Sequence, residues 1–222
     1  MPAWIAEAGI AAQVVIATAA IFGERIRGAW FRPRLRLELA NPQGQRVTLM
    51  VRLPGPEAVT LPEDAAPQQW ETASGRYYHV RVTNRTAHPE AREVEVLLTQ
   101  LDIAGPDGNP QTEFSGAIPL GWQHYDIRSR TIGRATDALA DLFAVHAGVS
   151  GEPPTLFFTP RIRPIDFPEK MLAAQHFWLT LIARGLNGES KPLRVRVDWD
   201  GGWDSGDVEM AKRLIVKEVG PQ

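Results

Sequence analysis

The sequence predicts a mainly β fold, a β-sandwich over residues 32–222, preceded by one amino-terminal transmembrane α-helix. Three observations lead there. Segments such as Arg34–Leu39 and Leu193–Asp200 alternate apolar and polar residues at the period of a half-buried strand. Eighteen prolines and 19 glycines are spread along the 222 residues as turn signals, with no helical pattern between strands to suggest an α/β fold. The run Ala8–Phe22 carries no charge and is followed at once by arginines.

Residues 1–31 read as a membrane anchor with a basic exit segment. Alone, Ala8–Phe22 is shorter than the ~20 residues a bilayer core requires. Extended back through Trp4, it becomes a helix of roughly 40 Å bracketed by Trp4 and Trp30, with tryptophan at both interfaces. A cleavable signal peptide would need a positive segment ahead of the run, and none is present. A short Ala-rich run also suits a buried helix, which is the stronger rival. Orientation follows from charge. Only Glu7 precedes the run, whereas Arg25, Arg27, Arg32, Arg34 and Arg36 follow it. Positive residues stay on the cytoplasmic side, so the amino terminus faces out and the domain faces the cytoplasm of a bacterial inner membrane. Trp4, Trp30, Arg25, Arg27, Arg32 and Arg34 are the expected interface residues. Gln13 near mid-membrane and the small-residue spacing Ala19/Gly23 are candidates for helix association.

Each strand is justified by its own alternation. Leu35, Leu37 and Leu39 share one face, and Asn41-Pro-Gln-Gly44 is a turn into a strand over Val47–Leu53. Pro54–Gln69 reads as a long loop. In Tyr77–Asn84, Tyr78, Val80 and Val82 point inward while His79, Arg81 and Thr83 point out. Arg92–Leu101 is the expected hairpin partner of that strand, with Val94, Val96 and Leu98 inward. Ala104–Ser115 reads as a loop; Ile118–His124, Ser129–Ile132 and Leu156–Phe158 read as short strands. Thr136–His146 mixes helix formers with strand spacing and reads as a strand from Ala140. Gln175–Leu186 is apolar on both faces, as in a central strand, and Leu193–Asp200 returns beside it. Residues 207–217 fit a short helix capped by Asp207, or a final strand.

Composition narrows the chemistry. Net charge is formally −2, which predicts no nucleic-acid binding. With no cysteine, disulfides, thiolate zinc sites and Cys nucleophiles are absent. No phosphate-cradling glycine loop or G-x-S-x-G elbow occurs, and no catalytic residue or cofactor is assigned. The densest acidic stretch, Asp198 to Glu209, resembles a calcium loop, with Asp198, Asp200, Asp204 and Glu209 as candidate oxygen ligands. Gly202 stands at the third ligand position and Trp203 where the tight-turn glycine belongs, so solvated carboxylates at a strand end are the simpler reading. His124, with Asp126, Asp137 and Asp141, is the one group to weigh for acid–base hydrolysis.

Trp4–Glu38, followed by Tyr77-Tyr-His-Val-Arg-Val-Thr-Asn84, resembles a set of uncharacterised bacterial single-pass membrane proteins. These carry an amino-terminal transmembrane helix, an Arg-rich exit like Phe31-Arg-Pro-Arg-Leu35, and an immunoglobulin-like β-sandwich. The resemblance covers most of the chain and no catalytic motif. It implies an architecture rather than an activity. The expected function is a non-enzymatic, membrane-anchored binding or adaptor protein, with a protein partner or a second copy of itself. A ligand-sensing membrane effector that oligomerises through its helix is the alternative, and a His/Asp hydrolase the second alternative.

Overall fold

The computed structural model describes residues 32–52, 70–85, 89–165, 167, 168, 170, 171 and 174–220. The expected anchor and the expected loop 54–69 lie outside the described residues. Among those described, no helix is long and apolar enough to cross a membrane.

The chain forms two antiparallel sheets packed across one core. Among the described residues, thirteen strands and one helix follow in order: β1 Leu35–Leu39, β2 Gln45–Arg52, β3 Trp70–Asn84, β4 Ala91–Ala104, β5 Pro110–Pro119, β6 Arg130–Ile132, β7 Asp137–His146, β8 Thr155–Phe158, β9 Lys170–Met171, β10 Gln175–Gly185, β11 Gly188–Glu189, β12 Leu193–Trp199, α1 Asp207–Arg213 and β13 Leu214–Val219. The six-stranded sheet runs β1-β3-β7-β8-β9, with β2 also on β3. The seven-stranded sheet runs β13-β12-β10-β4-β5, with β11 on β10 and β6 on β4.

β3 organises the first sheet because it is 15 residues long. β2 pairs with its first half and β1 with its second, so one edge holds two strands in line. The turn between them needs Gly44, at φ +73°, and a Cβ there would lie 2.8 Å from the Tyr78 ring. Alternation places Leu35, Leu37, Tyr78, Val80 and Val82 inward, all buried. In the second sheet Phe177, Leu179, Leu181, Val195, Val197 and Trp199 do the same. The sheets meet through aromatic rings: Phe177 of β10 packs edge-on against Phe143 of β7 and Phe158 of β8, with centroids 6.2 and 5.7 Å apart. Trp199 is fully buried and its indole Nε1 donates to Gly202 O at 3.0 Å. Burying such a side chain contributes roughly 3 kcal/mol.

Several expectations are corrected here. β4 is not the hairpin partner of β3; it crosses to the other sheet and pairs with β5, β6 and β10. Alternation says which face a residue takes and not which strand lies beside it. Pro110–Ser115, expected as loop, is part of β5. This strand is exposed, bounded by prolines, and lies at a sheet edge, where such a sequence is tolerated. β7 starts at Asp137 rather than Ala140. Residues 207–219 are helix and then strand. Asp207 is not the helix cap: Gly206 stands there, with no side-chain cap.

Candidate functional site

A pocket of about 220 Å³ opens on the outer face of the six-stranded sheet. Gln45 and Val47 of β2, Tyr77 and His79 of β3, Asp141 of β7, and Gln123 and His124 line it. Strand register explains the grouping: Gln45 pairs with Tyr77 and His79 with Asp141. The segment 121–124 is laid over β7 by two backbone hydrogen bonds, Gln123 N to Leu139 O at 2.9 Å and Asp141 N to Gly121 O at 2.8 Å. It then reverses at His124, whose φ of +64° lets Tyr125 N reach Trp122 O at 3.1 Å.

His79 Nε2 stands 3.2 Å from Asp141 Oδ1, and its ring is stacked on Tyr77 at 5.9 Å. The imidazole is 4 % exposed and the carboxylate 22 %. Asp141 Oδ1 is buried and no described donor is aligned with it. Burial, and then the charge of Asp141, raises the Tyr77 phenol above its ordinary value, so the hydroxyl stays protonated. The pocket therefore offers an acceptor carboxylate, two imidazoles, a phenol and two amides. Such a set can hold a small molecule carrying hydrogen-bond donors or a positive charge.

Of the four residues weighed for hydrolysis, the structure brings His124 and Asp141 to this pocket. Asp126 pairs instead with Arg161 at 3.2 Å and Asp137 with Arg81 at 3.1 Å. His79, expected on a solvated face, is the residue that sequence reasoning missed. Tyr77 stacked on its ring, Asp141 across the strand pair and the neighbouring segment 121–124 surround it, and nothing in the alternation of β3 signals that cover.

The acidic stretch does not assemble. Asp198 points out from β12, accepts from Arg196 Nε at 2.8 Å, and lies 2.9 Å from His176 Nδ1. Asp200 takes Gly202 N and Arg213, Asp204 takes Gly206 N, and Glu209 takes Lys212. Among the described residues no three His, Asp or Glu side chains converge on one point. The calcium spacing is thus answered by local turns and ion pairs. Burial raises the pKa of Asp198, but the bonds from Arg196 and His176 outweigh it and leave the carboxyl below its usual range.

Two arginines, Arg76 buried and Arg194 part-buried, make structural contacts to other acids. Arg76 of β3 is 1 % exposed; it donates to Asp207 Oδ1 at 2.6 Å, to Ser205 O at 3.1 Å and to Gln43 O at 3.2 Å. It clamps the six-stranded sheet to the segment ahead of α1. Arg194 Nη2 donates to buried Asp102 Oδ2 at 3.0 Å, and Asp102 also accepts from Gln100 and Thr112.

The chain matches no family model, no curated protein and no solved structure.

Of the expected membrane-interface residues, Arg32 and Arg34 are described and lie where the chain joins the sandwich, at what we term the proximal pole. Trp4, Trp30, Arg25 and Arg27, and the helix-association residues Gln13, Ala19 and Gly23, lie outside the described residues. Arg32 and Pro33 lie against the β10–β11 turn; a Cβ on Gly188 would stand 2.9 Å from Pro33. The opposite, distal pole carries the Gly105–Asn109 turn and α1.

Proposed function

We propose that the chain is a single-pass, membrane-anchored binding protein, with its amino terminus outside and its sandwich at the cytoplasmic face of a bacterial inner membrane. In this reading it binds a small polar ligand rather than transforming it, and passes that state to a protein partner or to a second copy of the chain. The immunoglobulin-like assignment belongs to the same reading. It draws support from the strands crossing between sheets, although six and seven strands exceed the seven in total of the smallest immunoglobulin type.

The observation that carries the reading is the missing linker. β1 begins at Leu35 as an integral part of the first sheet. With a span ending at Trp30, four residues, 31–34, separate it from the sandwich, five Cα steps or at most about 18 Å of extended chain. A domain so tethered stays against the bilayer. The pocket supports the binding half of the reading, because it sets a carboxylate, two imidazoles and two amides around one small cavity where they can bond a polar ligand.

Fractionation of a bacterial host making the full chain with a carboxy-terminal tag tests the anchor. The chain is expected to stay in carbonate-washed membranes, with the domain protected from external protease until the membrane is opened. Extraction by carbonate, or digestion of the domain from outside, overturns the reading. The ligand is sought by thermal shift of the full chain in detergent with small amines and amides. A shift lost in Asp141→Asn and kept in Asp126→Asn supports the pocket; shifts equal in both count against it.

A further inference from the structure

Two shallow grooves flank Pro33 at the proximal pole. One, of about 620 Å³, lies between β1 and the β11–β12 connection and is lined by Arg34, Arg36, Arg85, Lys191 and Glu189. The other, of about 760 Å³, is lined by Arg32, Arg184, Leu186 and again Glu189. Six cations thus surround one carboxylate, and that carboxylate is already held by Arg184 Nε at 2.8 Å. Arg36 has only a distant contact with Glu38, at 3.7 Å. Arg32, Arg34, Arg85 and Lys191 have no carboxylate partner among the described residues. The chain as a whole is balanced, with 24 Lys and Arg against 26 Asp and Glu, so this pole is a local excess.

An apolar tip stands beside these cations. Leu186 is 72 % exposed at the β10–β11 turn. The turn is braced against β4: Leu186 N donates to Arg92 O at 3.0 Å, Asn187 Nδ2 donates to Glu90 O at 2.9 Å, and Asn187 Oδ1 accepts from Arg92 N at 3.0 Å. The leucine is therefore presented on a fixed turn. Cations around a projecting apolar side chain match the two layers of a membrane surface, anionic headgroups outside and the acyl boundary beneath.

We infer that the proximal pole of the sandwich docks on anionic lipid headgroups, with Arg32, Arg34, Arg85 and Lys191 meeting the phosphates and Leu186 inserting between them. The inference rests on the proposed anchor, which joins the domain at this pole. Docking adds something the anchor does not require. It fixes the orientation of the sandwich, turns the opposite pole with α1 toward the cytoplasm, and makes that orientation depend on lipid charge. The anionic surface attracts only within a Debye length, about 8 Å at physiological salt, so these residues act only if the pole touches the membrane.

The chain has no cysteine, so a single label can be placed at will. The full chain is reconstituted in vesicles carrying a headgroup nitroxide quencher, with a fluorophore on Leu186→Cys or, as the distal control, on Lys212→Cys in α1. Quenching at position 186 is expected in phosphatidylcholine mixed with phosphatidylglycerol, weakened in phosphatidylcholine alone and by high salt. Position 212 is expected to stay bright throughout. Combining Arg34→Gln, Arg85→Gln and Lys191→Gln lowers the docking equilibrium by about fivefold for each cation removed, or about a hundredfold together. Equal quenching at both positions, or quenching indifferent to lipid charge, overturns the inference. So does loss of quenching in inorganic phosphate at an ionic strength where chloride leaves it intact, because the groove would then be a site for free anions. Carbonate washing of the same vesicles separates the two ideas. A retained chain without quenching refutes docking and leaves the anchor standing; a chain washed away removes both.

Discussion

On the outer face of the seven-stranded sheet Arg194 meets Asp102 at 3.0 Å, Arg196 meets Asp198 at 2.8 Å, and His176 and Lys217 reach the same Asp198 at 2.9 and 3.8 Å. At the proximal pole Arg32, Arg34, Arg85 and Lys191 have no carboxylate among the described residues. One chain thus holds two basic regions with opposite electrostatic treatment. On the sheet each of these cations has a carboxylate within the fold, Arg196 and Lys217 sharing Asp198, and the guanidinium of Arg196 also lies 5.6 Å from the Trp178 ring centre. At the pole the neutralising charge has to come from outside. Pairing separates a face that stabilises the fold from one available to a ligand.

The largest effect is expected where the paired region is also buried. Asp102 and Arg194 have side chains 3 % and 16 % exposed. Asp102→Ala removes the carboxylate that Arg194 Nη2 contacts at 3.0 Å and takes an acceptor from Gln100 and Thr112. A loss of about 3 kcal/mol is expected in urea denaturation. The double change Asp102→Leu with Arg194→Met recovers most of it, because no charge is then left buried. A loss under 1 kcal/mol for Asp102→Ala would mean that the sheet face is no more dependent on its pairing than the pole.

These two regions also show what a sequence can convey. Period-two alternation made β1 and β12 legible with their inward faces, because burial on one side imposes that period directly, while β10 was legible as a central strand from apolarity on both faces. It did not show that Asp102 is buried beneath Arg194, since an outward position becomes buried only through its neighbours across the sheet. The same limit hid His79 under segment 121–124 and hid the crossing of β4 to the second sheet. The calcium-like spacing from Asp198 to Glu209 was weighed against the simpler reading of solvated carboxylates, and a related limit applies to it. Spacing along the chain does not say that Asp198 leaves on the outer face of a strand while Asp200 and Asp204 fold back on their own turn amides. At the pole, Arg32 and Arg34 were visible as a run, whereas Arg85 and Lys191 join them only in three dimensions.

A smaller effect is expected at Asp198, which is paired but less buried. Its folded pKa is lowered, so its contribution is complete above the ordinary carboxylate value of 3.8 and is lost as pH falls through the lower folded value. Asp198→Asn is expected to cost about 1 kcal/mol near neutral pH. Thermal unfolding of the two proteins should converge as pH drops below 3.8. A gap that persists in acid would show that the side chain acts through packing and not through charge.

The smallest effect on stability is expected at the pole, and it sharpens the comparison most. Arg34→Gln, Arg85→Gln and Lys191→Gln remove cations that make no ion pair within the fold, and surface changes of this kind stay within about 0.5 kcal/mol. Relief of mutual repulsion among the six cations favours a slight gain, and the gain should shrink as salt is raised. The measurement is the urea midpoint of the triple variant in uncharged detergent, at low and high salt, where no lipid anion can contribute. A clear loss there would mean that the pole is held by contacts inside the protein, and its charge would be structural like that of the sheet face. An unchanged or higher midpoint, together with the hundredfold loss of docking on anionic vesicles, would assign the same three residues no part in holding the sandwich together and a large part in placing it on the membrane.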